Sequence, residues 1–473
     1  MQKILLTFCV LLGATLLWGQ STQPITLDAF LAAAQRQALG HYAAEQDRTI
    51  AEARLRLFQA RLRPQLRATA NIPNYNKTFS EITQPDGTVL FQAIENNNSA
   101  LSLDLRQALP WTGGQLFVQA GLQRFDDLEN EATLYNGAPY RVGISQPIFQ
   151  YNDLKWQRQL APLRWEVAQR QYQADQARLR TEATQLYFDL LLASQERTLA
   201  DTNLMATQRL YAIAQERFTL GKISKRDLLQ LELELRSAEA AQIRQQQNAA
   251  AASARMATYL GVDPATVSYQ ASLPTAISSL EISEELALQK AIAQRPEWTA
   301  FAQRLLAARR AVDEAKRSGG PALSLNASVG RIRSSDRLAD IYENALPETY
   351  LELRIDVPIL DGGQRRQQRK IAAAQQQFTT EAVAREQLNL ANEVRQTVRD
   401  VQTLQRELSL VEQVKTLADE RFRITTESYV LGAISLTERT LAQREREQAL
   451  RTYLATLQAY WLTEATLKEW LVE

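Results

Sequence analysis

Residues Val142–Leu154 read VGISQPIFQYNDL and Leu353–Arg365 read LRIDVPILDGGQR, so Pro147 and Pro358 stand 211 positions apart in equivalent surroundings. In each stretch, alternating apolar and hydrogen-bonding residues run into a proline, and polar residues follow that open a long helical segment. Proline lacks the backbone donor that a sheet ladder needs, so the ladder can end there and the chain can swing into a helix. A junction written twice predicts a duplicated chain in which strands feed a long helix in each half.

The same offset of 211 aligns ERFTLGKISKRDLL from Glu216 with ESYVLGAISLTERTL from Glu427. Upstream, the segments around Pro64 and Pro321 align at an offset of 257, so the first half carries 46 additional residues between its two prolines. Steps of four and three from Leu179 through Ala183, Leu186, Leu190, Ala193, Ala200, Leu204, Tyr211 and Ala214 to Phe218 trace a heptad seam, with Arg197 and Thr207 off pattern. Adding 211 traces the second seam from Leu390 through Val394, Val401, Leu408 and Phe422 to Tyr429. This predicts two uninterrupted helices over 152–220 and 363–431, each roughly 100 Å long at 1.5 Å per residue. Gly221 and Gly432 are expected to stop them in left-handed caps, with returning helices over 225–260 and 436–471. Shorter helices are expected over 26–63 and 283–317. A returning and an approaching helix, placed end to end, would match one rod, which brings both chain ends and the linker 261–282 together.

Between the helices the period is two. Leu101, Leu103 and Leu105 alternate with Ser102, Asp104 and Arg106; Leu351, Leu353, Ile355 and Val357 alternate with Glu352, Arg354 and Asp356; Leu323, Leu325, Ala327 and Val329 alternate with Ser324, Asn326 and Ser328. Further strands are expected over 66–72, 116–125 and 140–148. The extra residues of the first half read as an added hairpin, Leu101 to Phe125, giving four or six strands per subunit. LPWTGGQ at 109–115 is a tight turn, whereas 76–99, 126–139 and 333–348 read as long polar loops. That asymmetry, with Trp111, Tyr140, Phe149 and Tyr151 as interfacial aromatics, is the pattern of a membrane barrel. Unpaired backbone groups are not tolerated in a bilayer, so such strands must close on themselves, and few strands per chain implies sharing between subunits.

Composition narrows the function. Lys3, the apolar run from Ile4 to Leu17 and the small residue Gly19 read as an export signal over 1–20; Cys9, the one cysteine, lies inside it. The formal net charge of +1 favours neither nucleic acid nor a charged membrane face. His41 is the one histidine, and no P-loop is written, so neither a metal centre, a cofactor nor ATP coupling is expected.

The duplicated order of helix, strands, QPIF or VPIL, long helix, RFTLGKIS or SYVLGAIS, and returning helix resembles the TolC family of outer-membrane efflux and secretion ducts. The resemblance covers the whole chain after the leader, in two structural repeats, 21–260 (strands within 64–149) and 283–473 (strands within 321–359). It implies a mainly α fold with a membrane β-barrel shared between three subunits, a helical tunnel in the periplasm, and outer-membrane lipid around the barrel. It also implies a periplasmic adaptor and an inner-membrane pump of RND or ABC type. Pro147 and Pro358 are then barrel-to-tunnel hinges. The adaptor-docking set is Arg217, Gly221, Ile223, Ser224, Asp227 and Leu228 with Gly432, Ile434, Ser435 and Glu438. Three copies of Glu438 would form a periplasmic gate; Leu441 stands where relatives often place a second acid. A periplasmic coiled-coil adaptor or scaffold without channel activity is the alternative reading.

Overall fold

The computed structural model describes residues 21–274 and 282–471. The export signal therefore lies outside the described residues, as does 275–281 of the linker. The chain forms two compact units, 1–46 with 171–295 and 390–473, and 47–170 with 296–389. Each draws on both halves of the sequence, because the long helices run from one into the other.

The first unit is helical. Its elements include β1 (Ser21–Ile25), α1 (Leu27–Gln37), α4 (Lys225–Tyr259), β7 (Val267–Ala271), α5 (Glu284–Gln294) and α9 (Leu436–Leu471), with the greater part of α3 (Asp153–Thr219) and α8 (Gln364–Val430). The seam residues close its core: Ala183, Leu190, Val394, Val401 and Leu408 are buried with Phe30, Phe188, Met256 and Tyr460. Thr207, off pattern in sequence, is buried as well. β1 and β7 pair in parallel, an element the linker's composition did not announce. Tyr187 fastens them, its hydroxyl donating to the Ser272 carbonyl at 2.6 Å and accepting the Ser272 N–H at 3.2 Å. Burial pushes the Tyr187 hydroxyl up and that of Tyr259 up to about 12.

The single helices expected over 26–63 and 283–317 are each two. α1 stops at Ala38, whose ψ of 136° is extended, and α2 runs Leu39–Arg61. α5 stops at Arg295, with ψ 139°, and α6 runs Pro296–Arg317. The second break has a written cause: Pro296 disfavours a helical residue before it and is itself suited to a first helical position. Ala38 reaches the same conformation without a proline.

The second unit is built on one antiparallel sheet in the order β2–β4–β5–β6–β8–β9, with β3 also on β4. Its strands are β2 (Gln65–Asn71), β3 (Tyr75–Thr83), β4 (Val89–Ala108), β5 (Gln115–Asp127), β6 (Ala132–Ile148), β8 (Ala322–Ser335) and β9 (Leu346–Asp356). β2 and β3 follow one another along β4, so the sheet has six ribbons, and the added hairpin is β4–β5. Two of the expected long loops are corrected: most of 76–99 is the β3–β4 hairpin, and 126–139 is mainly the ends of β5 and β6. Their ladders carry polar side chains, Tyr75 and Lys77 both bonding Glu95 at 2.8 and 2.7 Å, which masked the alternation. The third, between β8 and β9, holds the short α7 (Asp340–Glu343).

Arg439 breaks the apolar seam of α9. It is 2 % exposed, lies 5.6 Å from the Phe422 ring, and its Nε has no hydrogen-bond partner among the described residues. Burial pushes its guanidinium below its usual value, against the pull of Glu234. A buried charge without a close partner costs more than the same volume of hydrocarbon. Arg439→Met should therefore raise the unfolding free energy of the detergent-solubilised protein by about 1–3 kcal/mol in chemical denaturation. A loss of stability would show that the guanidinium is paired.

Candidate functional site

Two surfaces carry the chemistry, one in each unit. The first is the sheet. Register places Leu101, Leu103 and Leu105 of β4 beside Leu122, Ala120 and Val118 of β5. It places Val118 beside Val142 of β6 and Val142 beside Val329 of β8. Leu323, Leu325 and Ala327 of β8 then stand beside Ile355, Leu353 and Leu351 of β9. Most of these side chains are exposed. In water, ten such side chains would forfeit on the order of 15–30 kcal/mol of burial, comparable to or beyond the usual stability of a domain.

The opposite face is polar. Asn326 accepts from the Ser145 hydroxyl at 2.8 Å and donates to Glu352 at 3.0 Å. Arg141 grips Glu348 with both nitrogens, at 3.0 and 2.7 Å, across Gly330. A Cβ at Gly330 would meet the Tyr140 carbonyl at 2.6 Å, so glycine allows the close approach under that bridge. By register the same face carries Arg67, Arg106 and Arg354 with Asp104, Glu352 and Asp356, an even balance of charge.

At the foot of the sheet the expected hinges take unequal places. Pro147 still occupies the β6 ladder, opposite Ser324, and the left-handed residue is Phe149, with φ 64°. Pro358 lies two residues beyond β9, and Gly362 and Gly363, with φ 58° and 85°, make the turn. Asn152 and Asp361 accept the first N–H groups of the helices that follow, Lys155 at 3.0 Å and Arg365 at 3.2 Å. Trp111 is exposed beside Arg158, and the Tyr151 hydroxyl accepts from Arg310 at 2.6 Å.

The second surface is the pair of helix turns. Gly221 and Gly432 have φ 66° and 79°. In both, the following N–H reaches back five residues, Lys222 to Arg217 at 2.8 Å and Ala433 to Ser428 at 2.9 Å, which is a Schellman cap. The next helices begin with reciprocal capping boxes. The Ser224 hydroxyl donates to Asp227 at 2.7 Å and accepts its N–H at 3.2 Å; Ser435 gives Glu438 both N–H and hydroxyl at 2.9 Å. Arg217 donates to the Val430 carbonyl at 3.1 Å, so the two turns stand side by side.

Of the expected docking residues, Gly221, Ser224, Gly432, Ser435 and Glu438 are exposed, and Arg217, Ile223, Asp227 and Ile434 half-buried. Leu228, at 8 % exposure, packs with Leu210, Ala214 and Leu231 beneath the turn, so it supports that surface without belonging to it. Missed from the sequence was a second heptad stripe on α8, on which Leu410, Val414, Leu417 and Ile424 are all exposed, continued by Leu431 just past its end, and a matching one at Leu229, Leu233 and Ile243 of α4. The 3–4 spacing that could have found them was overshadowed by the stronger buried seam.

The outer membrane efflux protein family matches residues 31–262 and 287–471. The chain belongs to that family. Among curated relatives, the protein CyaE of Bordetella pertussis is 30 % identical over 198 residues, 41 % of each chain, so the match spans about two fifths of that relative's length. Among solved structures, the Campylobacter jejuni CmeC outer membrane channel superposes with a TM-score of 0.69 at 15 % identity, covering 94 % of this chain and 85 % of that one. The outer membrane protein VceC of Vibrio cholerae gives 0.66 at 16 %, covering 94 % and 95 %. The open state of the Neisseria gonorrhoeae MtrE channel gives 0.63 at 16 %, covering 94 % and 88 %. At these identities the likeness is one of fold: TolC-like, mainly helical with a strand-rich region.

Serine hydrogen bonds hold the carboxyls of Asp227 and Glu438 below their ordinary range, the Ser435 backbone N–H contributing most at Glu438. A lowered folded value means the caps are complete above the ordinary range and are lost as pH falls through the lowered values. Hydrogen exchange at the amides of 227 and 438 should therefore show unchanged protection, after correction for intrinsic rates, from roughly pH 7 to 5. Glu438→Gln should weaken protection at its own turn throughout.

Proposed function

We propose that this protein is a passive outer-membrane export duct, assembled as a homotrimer and joined through a periplasmic adaptor to an inner-membrane pump. One observation carries the reading: the sheet has an exposed apolar face, a hydrogen-bonded polar face and two free edges, β2 and β9. In lipid those edges must be paired, and pairing β9 of each copy with β2 of the next joins strands of opposite direction, so the ring closes antiparallel throughout. The apolar face then meets lipid and the polar face lines water. The exposed heptad stripes of α8 and α4 offer neighbouring copies a coiled-coil contact of their own.

No nucleotide-binding motif is written in the chain, so the driving force would come from the pump, in a tripartite efflux or a type I secretion system. The adaptor would dock on the turns at Gly221 and Gly432, where exposed backbone and capped helix starts form a preorganised surface. Glu438, at the second turn, would supply three carboxylates to a narrow axis and favour cations there.

Purified in detergent, the protein should run as a trimer and conduct ions across a planar membrane once its periplasmic end is opened; a monomer released by osmotic shock that never conducts would refute the duct. Gly221→Val and Gly432→Val force a β-branched residue to positive φ, costing about 1–2 kcal/mol at each turn. Export should fall while trimer yield holds, and equal loss of trimer would remove the docking assignment.

A further inference from the structure

We propose that the β3–β4 hairpin of one copy clasps the β8–β9 loop of the next, adding a contact between copies beyond the membrane strands. The inference rests on the shared ring proposed above and adds to it a partner for a surface that the ring itself leaves unexplained. The β5 ladder covers β4 as far as Asn96, with one further bond from the Leu128 N–H to the Glu95 carbonyl, so among the described residues Val89–Ile94 pairs with β3 alone and the hairpin projects past the rest of the sheet. Phe79 and Phe91 on it are 74 % and 73 % exposed.

Register identifies what stands beside them. β2 follows α2 and β9 leads into α8, so Gln65 and Asp356 mark the two feet of the sheet. Foot-to-foot antiparallel pairing between copies sets Leu66 opposite Ile355 and Ala68 opposite Leu353. Each pair is apolar and on the apolar face, so this register carries that face unbroken across the joint; a slip of one residue would alternate it. Ten residues up, Leu346 of one copy comes level with Tyr75 of the next, where β3 begins, and the loop ahead of β9 lies beside β3. That loop is anchored by Ile341, buried where a Cβ on Gly137 would come within 2.3 Å of it. Gly137 pairs with Leu122, so the anchor lies on the apolar side of the sheet. Phe79 and Phe91 share that side, by alternation along β4 toward Leu101. Tyr342, next to the anchor, is exposed and free to receive them.

The test uses cysteine pairs in the full-length protein in native outer membranes, since Cys9 is the one cysteine of the sequence. Phe79→Cys with Tyr342→Cys probes the clasp, and Ala68→Cys with Leu353→Cys probes the ring, each treated with a short bismaleimide and compared with the single variants. Both pairs should give covalent dimers and trimers at least tenfold above the singles. If the ring pair links and the clasp pair does not, the clasp is wrong, and another protein or the lipid surface covers the hairpin. If neither links, the shared barrel itself is refuted. Phe79→Ser with Phe91→Ser should also lower the temperature at which the trimer dissociates in SDS; an unchanged temperature overturns the clasp as a stabilising contact.

Discussion

The constraint on which this structure depends is the unsatisfied backbone at the two edges of a sheet whose one face is hydrocarbon. An exposed apolar face drives the sheet into lipid, and in lipid each open N–H and C=O costs several kcal/mol. Neither problem is solvable within one chain of six ribbons, in which the outer edges of β2 and β9 have no partner strand among the described residues. The solution is geometric and requires a second copy of the same chain. The polar network around Arg141, Glu348, Asn326 and Glu352 then serves water on the inside, and its balanced charge leaves no strong field along that wall.

The helical part answers a different demand. Two helices of 67 residues each are held by a seam repeated at an offset of 211, and they end in turns of the same construction, a left-handed glycine, a Schellman cap and a serine capping box. The Schellman bonds and serine caps engage several of the orphan backbone groups at each turn, and Gly221 and Gly432 stay exposed. Close behind the turns, the buried Arg439 has no hydrogen-bond partner for its Nε among the described residues, which is a cost in the first unit's packing.

Much of this was legible in the sequence. The seams and the glycine stops lie where residue spacing placed them, because heptad patterns are direct images of burial, whereas Pro147 stays inside the β6 ladder and Pro358 lies beyond β9. What was illegible had physical causes. The break at Ala38 carries no proline, and the β1–β7 pair is made of five-residue strands tied by Tyr187 from a distant helix. The β3–β4 extension hid behind polar cross-strand pairs such as Lys77 with Glu95, since a solvated ladder needs no apolar alternation. The burial of Leu228 beneath its turn was not legible because a sequence shows that a residue follows a turn, and not which way it faces.

The central claim, that the two faces of the sheet meet lipid and water respectively, is tested most directly by spin labels placed one at a time along β4, β6 and β9 in the reconstituted protein. Labels at Leu103, Val142 and Leu353 should collide with membrane-dissolved oxygen, and labels at Asp104, Arg141 and Arg354 with a water-soluble nickel chelate, alternating residue by residue. Equal exposure of both sets to the chelate would mean that the sheet lies in water, and the account of the duct would fall.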